Sequence, residues 1–337
     1  MGYESVTPNQ YSGTDSERIR QAVDAAAASC GTVAIPRRNH HTGGERDVWC
    51  IDEAILLPSN ITVVLDGCRI KLSDACRDNF FRSANCGLGI ADVKPLCNIH
   101  LRGQGGAVLE GADHPRATGD SVKKLWTPAL GARNAWNLSY GTDAHVADAS
   151  PSGDWRNIGI LLVDVDGFSI EGIHIRHSHC WAISLEYCTR GLLRDIDFLS
   201  DGGIMVDGER QIALNQDGID LRQGCHDITI ENISGHTGDD LIALTAIPHP
   251  GPQAGGTGCT MVSDNRRPDG ISRIAIRNVR GYCMGHHIIR LLNTSGMPMH
   301  DIIIDGLIDT APAGAQCRAA IKIGDANPAW GGVTPLG

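Results

Sequence analysis

Ile228-Thr229-Ile230-Glu231-Asn232-Ile233 decides the fold: apolar, spacer, apolar, spacer, small or polar, apolar. The alternation gives a strand one apolar face, and the Asn before the last apolar position suits a sharp corner. The pattern returns as Phe168-Ser-Ile170-Glu-Gly-Ile173, Ile274-Ala-Ile276-Arg-Asn-Val279 and Ile302-Ile-Ile304-Asp-Gly-Leu307. Weaker copies are Leu193-Arg-Asp-Ile196, Ile99-His-Leu101 and Ile61-Thr-Val63. Copies recur at 23 to 46 residues, and each buries its apolar row only against its neighbours. The spacing predicts an all-β solenoid, a parallel β-helix. A β-sandwich would turn every ~8–12 residues and carry hairpin signals, which are scarce here.

Outward from this repeat, Thr14-Asp-Ser-Glu17 has the form of a capping box, and Ile19, Ala22, Val23, Ala26 and Ala27 follow at helical spacing. With Gly31-Thr-Val-Ala-Ile-Pro36 as a first strand, residues 14–36 read as a cap over the solenoid's open end. The chain is expected to be a single domain, 1–337, with loop insertions over 104–157 and 247–270. The first insertion carries Trp126, Trp136 and Trp155, and both are placed to wall a groove.

Net charge is −10, from 39 acidic against 29 Lys and Arg residues, which argues against nucleic acid and anionic membranes as partners. No run of 18 apolar residues occurs, so no segment spans a bilayer as a helix. The N-terminus has neither the basic start nor the apolar stretch of a signal peptide. It predicts a cytoplasmic protein, or a secreted one whose signal has been removed. Twelve cysteines without a CxxC pair read as buried free thiols.

A second strand family carries the chemistry. Trp181-Ala-Ile-Ser-Leu185, Asp217-Gly-Ile-Asp-Leu221, Asp240-Leu-Ile-Ala-Leu244, His287-Ile-Ile-Arg-Leu291 and Ala319-Ala-Ile-Lys-Ile323 share one pattern. Stacked in register, their first positions form a column of Trp181, Asp217, Asp240, His287 and Ala319. Their fourth positions form another, of Ser184, Asp220, Ala243, Arg290 and Lys322. Asp217 and Asp240 are 23 residues apart, about one minimal coil, so their carboxylates stack and at least one is expected to titrate high. Asp239 cannot point into the core, so it belongs to the turn entering the strand and reaches the same groove. Three converging acids suit acid–base hydrolysis of an acetal. Aspartates that only make turns, or a carboxylate ladder for calcium, are the competing readings. His286, His287 and Arg290 are poor company for calcium.

These residues resemble the ordered motifs of family 28 glycoside hydrolases, the polygalacturonase family, which fold as right-handed parallel β-helices. The motifs here are Asn215-Gln-Asp-Gly-Ile-Asp220, Gly238-Asp-Asp240, Gly285-His286 and Ile321-Lys322. The likeness covers residues 158–325. It implies an inverting mechanism, with Asp239 as general acid, Asp217 and Asp240 holding the attacking water, and His286 tuning the acid. Gln216 replaces the family's Thr, His287 its second Gly, and Ala320 the Arg of its Arg-Ile-Lys motif. The resemblance puts His286 in the site, whereas the stacking register puts His287 there.

Lys322 alone survives from the pair that contacts a galacturonate carboxylate in the family. Arg290 and Arg222 read equally as replacement guanidinium groups and as structural arginines. Trp181 reads equally as a platform for a sugar ring and as a tryptophan packed beneath a loop. His177 and His179 flank the groove. The sequence therefore predicts a hydrolase of pectic or uronate-containing oligosaccharides or polysaccharides, with no cofactor and no metal. A uronate lyase or epimerase, or a non-catalytic carbohydrate-binding β-helix, are the alternatives.

Overall fold

The computed structural model describes residues 5–87, 90, 93–116, 118, 155–206, 209–213, 215–246, 269–293, 297–314 and 317–324. Two parallel sheets wind together as a right-handed parallel β-helix. The first stacks Thr32–Pro36, Ile61–Asp66, Leu96–Glu110, Val165–Arg176, Thr189–Leu199, His226–Thr237, Ile271–Cys283 and Met299–Asp309 in chain order. The second stacks Ile55–Leu57, Phe81–Ser83, Ile160–Val163, Ile183–Glu186, Ile219–Arg222, Ile242–Ala246, His287–Asn293 and Ala319–Ile323, also in chain order.

The repeat read from the sequence is the register of the first sheet. Ile61, Ile99, Phe168, Gly191, Ile228, Ile274 and Ile302 form one inward row. Gly191 breaks the row of large side chains because the Phe168 ring fills its place, 2.0 Å from where a Cβ would stand. The corner residues take the left-handed conformation: Gly172, Asp195, Asn232, Asn278 and Gly306 have φ of 68, 56, 56, 52 and 79°. Asn and Asp tolerate it better than other side chains, and here they also bond along the stack. Asn232 Nδ2 donates to Asp195 Oδ1 (2.8 Å), and Asn278 Nδ2 to Asn232 Oδ1 (2.7 Å). A second left-handed column runs through Asn60, Asn98, Arg190, Asp227, Arg273 and Asp301.

The capping helix is Asp15–Ala27, closed by the reciprocal Thr14–Glu17 bonds its sequence implied. It buries Ile19, Ala22, Val23 and Ala26 completely on the first coils. It also buries a polar network. Arg18 lies over the Trp49 ring (4.8 Å) and donates to Asn39 Oδ1 (2.6 Å), while Asp15 accepts from the Cys50 amide (2.7 Å).

One correction concerns the first insertion. The strand Leu96–Glu110 continues through residue 104, since its second half pairs with Ile173–Arg176 across a register shift after Glu171. Trp126 and Trp136, and most of 247–270, lie outside the described residues. Trp155 is described, under the Arg82 guanidinium (4.7 Å). The described cysteines are free thiols, most of them buried. No helix among the described residues is long and apolar enough to cross a membrane. The last coil leaves Ile303, Ile308, Ile321 and Ile323 exposed.

Candidate active site

The second sheet presents both columns expected from the sequence. Backbone bonds from Ala182 N to Asp217 O (2.9 Å), Gly218 N to Asp240 O (3.0 Å) and Leu241 N to His287 O (3.2 Å) align Trp181, Asp217, Asp240 and His287, with Ala319 after them. Ser184, Asp220, Ala243, Arg290 and Lys322 pair in direct register. Ala320 aligns with Ile288 and Leu241, both fully buried, so the row in which the family's Arg would stand points at the core in the preceding coils.

Asp239 sits in the turn entering its strand. Gly238 N and Asp239 N both donate to Gln216 O (3.2 Å), and Thr237 Oγ1 donates to Asp239 O (2.7 Å). The turn needs Gly238, because a Cβ there would stand 2.4 Å from Gly202 N. Gln216, in the family's Thr position, is fully buried and ties the turn to its neighbours through Ser178 O (2.6 Å) and Gly202 N (2.8 Å). Carboxylate oxygens of Asp217, Asp239 and Asp240 come within 4.8 Å of one another.

Their environments differ. Asp240 is 1% exposed; its Oδ1 accepts from His287 N (2.9 Å) and His287 Nδ1 (2.8 Å), and Arg290 Nη1 stands 3.6 Å from its Oδ2. Asp217 is buried, and burial together with the charges of Asp239, Asp220 and Asp240 pushes its carboxyl well above the ordinary value, with Arg290 pulling the other way. Asp239 is the most open of the three, and its Oδ1 lies 2.8 Å from His286 Nδ1. Burial alone would lower the His286 imidazole, but the Asp239 hydrogen bond and the charges of Asp239 and Asp240 raise it overall. The competition between His286 and His287 thus dissolves: each histidine holds one aspartate, their rings edge to face at 6.1 Å.

Trp181 is 5% exposed, packed with Cys86, Val93, Ile158 and Leu161, and the Arg222 guanidinium lies 4.9 Å from its ring centroid. The ring face expected to meet a sugar is therefore occupied by Arg222. Arg222 is itself buried beside Asp220, and Arg290 is drawn to Asp240. Neither arginine is a simple free replacement for the one missing at 320. His179 lies outside this centre: its Nε2 accepts from Ala112 N (2.9 Å), and burial lowers it to about 4.

Sequence reasoning placed Ser184 and Asp220 in a column but gave them no part in the site. Asp220 is 2% exposed, and burial raises its carboxyl well above the ordinary value while Arg222 opposes the shift. Ser184 Oγ, Asp220 Oδ2, Arg222 Nε and Asp240 Oδ2 are buried without hydrogen-bond partners among the described residues. The available signal was Asp220 in the outward position directly beside Asp217. Asp240, His286 and His287 also bring donor atoms within 4.8 Å, a set that could hold an ion. Two hydrogen bonds on Asp240 Oδ1 and the Arg290 cation oppose that use.

No family model matches the chain, and no curated protein matches it. Solved structures do. A polygalacturonase from Erwinia carotovora ssp. carotovora aligns with TM-score 0.53 at 13% identity, over 95% of this chain and 76% of that one. A tailspike protein mutant of E. coli bacteriophage HK620 aligns with TM-score 0.54 at 15% identity, over 93% of this chain and half of the tailspike. At such identities the likeness is one of fold.

Proposed function

We propose that the chain is a glycoside hydrolase of the β-helix kind, acting on pectic or uronate-containing oligosaccharides. The carrying observation is the convergence of Asp217, Asp239 and Asp240 within 4.8 Å, each in a different environment. Asp239, on its turn and paired with His286, is suited to protonate the leaving oxygen. Asp217 and Asp240, deeper and beside Arg290, are suited to hold water. Lys322, in direct register on the strand beside the Arg290 that pairs with Asp240, is the cation suited to meet a substrate carboxylate.

Inversion is the stereochemical expectation, although inverting pairs usually stand about 6.5–9.5 Å apart. Asp240 Oδ1 already takes two hydrogen bonds from His287, which suits it to orient water better than to attack carbon. The anomer released first, read by proton NMR on an α-linked substrate, tests this. A β-configured first product supports the proposal; an α-configured one overturns inversion, and an unsaturated product assigns a lyase instead.

A further inference from the structure

Most described cysteines are sealed in the core. Cys188 and Cys225, for instance, are fully buried and donate to Leu162 O and Leu185 O, each at 3.3 Å. Cys283 and Cys317 differ. Their sulfurs lie 3.6 Å apart across 34 positions of sequence, with Cys283 buried at the end of Ile271–Cys283 and Cys317 half-buried just before Ala319–Ile323. The same segments are already joined by Arg318 N donating to His286 O (2.7 Å). A disulfide has sulfurs about 2.05 Å apart, so closure asks for a further approach of about 1.5 Å.

We propose that Cys283 and Cys317 are a cross-linking site, at which a disulfide staples the last described coil to the segment carrying His286. The oxidant is a small-molecule disulfide such as oxidised glutathione. The Cys317 thiolate, being the more accessible, attacks one glutathione sulfur and expels a glutathione thiolate. Cys283 then attacks the Cys317 sulfur of the mixed disulfide and expels the second. Each cysteine gives up one proton, and the pair's two electrons leave with two molecules of reduced glutathione. Burial and the neighbouring Cys317 raise the Cys283 thiol, so the second step is the slower one and quickens with rising pH. The staple would hold the turn that presents His286 to Asp239 and the strand that carries Lys322.

The full chain is incubated with oxidised glutathione or with dithiothreitol at about pH 8.5, alkylated, digested and mapped by mass spectrometry. The expected result is a joined pair of peptides containing Cys283 and Cys317, lighter by two hydrogens, with Cys188 and Cys225 still alkylated only after unfolding. Oxidised protein should unfold at a higher temperature than reduced protein, and Cys317→Ser should abolish the difference. Absence of the joined peptides, preferential linkage to other cysteines, or equal unfolding temperatures would overturn the proposal. The peptide map needs only the wild-type chain, so a poorly folding variant does not blunt it.

Discussion

Asp217→Asn should make the protein more stable and nearly inactive. Asp217 shares a buried space with the carboxyl groups of Asp220, Asp239 and Asp240, and Arg290 is an opposing charge beside it. Two full charges no more than 4.8 Å apart repel by at least about 3.5 kcal/mol at an effective dielectric of ~20. Proton uptake and Arg290 relieve part of that, leaving about 1–2 kcal/mol for the neutral amide to recover. In a chain of this size the gain raises the unfolding midpoint by about 1.5–3 °C. The pH dependence has a definite sign. An unfolded aspartate titrates near ~3.9, while folded Asp217 titrates higher. Between those values the folded state binds more protons, so wild-type stability falls as pH rises. The Asn advantage should therefore be small at about pH 3.5 and larger at about pH 8, growing as pH rises toward the folded value. Circular-dichroism melts of both proteins at the two pH values make the comparison, alongside turnover, which should drop ~10²–10⁴-fold. A variant less stable than wild type at the higher pH, or a gain identical at both, would refute the reasoning.

His286→Gln should lower turnover about tenfold or more and flatten the alkaline limb of its pH profile. The raised imidazole's contribution to stability is complete below about pH 6.5 and is lost as pH rises through the folded value; an unchanged profile would remove His286 from the site. Asn232→Ala places Ala at φ 56° and breaks two ladder bonds, costing about 1–2 kcal/mol in urea unfolding, with Asn232→Gly costing less. Equal stability of the Ala variant and wild type would count against the ladder. Gly235→Ala would set a Cβ 2.0 Å from Phe198 O at φ 101°, so a loss above about 3 kcal/mol is expected in the same assay.

The register of the second sheet was legible because Asp217 and Asp240 are one minimal coil apart, which leaves no slack for slippage. Asp239's place in the turn followed from the cost of burying a carboxylate, and the Asn232-type corners followed from the repeat itself. Other features left no periodic trace. The second left-handed column uses Asn, Arg and Asp interchangeably, so no residue type marks it. Arg222 on Trp181 joins positions on neighbouring coils through side-chain reach, which spacing does not encode. The Asp15–Arg18 network reads in sequence as an ordinary polar helix face, and only the strands behind it reveal that it is buried.

Release of reducing ends by wild type and by Asp239→Asn, across pectic, rhamnogalacturonan and neutral oligosaccharides, tests the central claim most directly. Wild type should cleave at least one of these substrates, best a uronate-containing one, and Asp239→Asn should lose at least about a hundredfold in rate while keeping its fold. A wild type inactive on every glycan, or a mutant as active as wild type, would contradict the account.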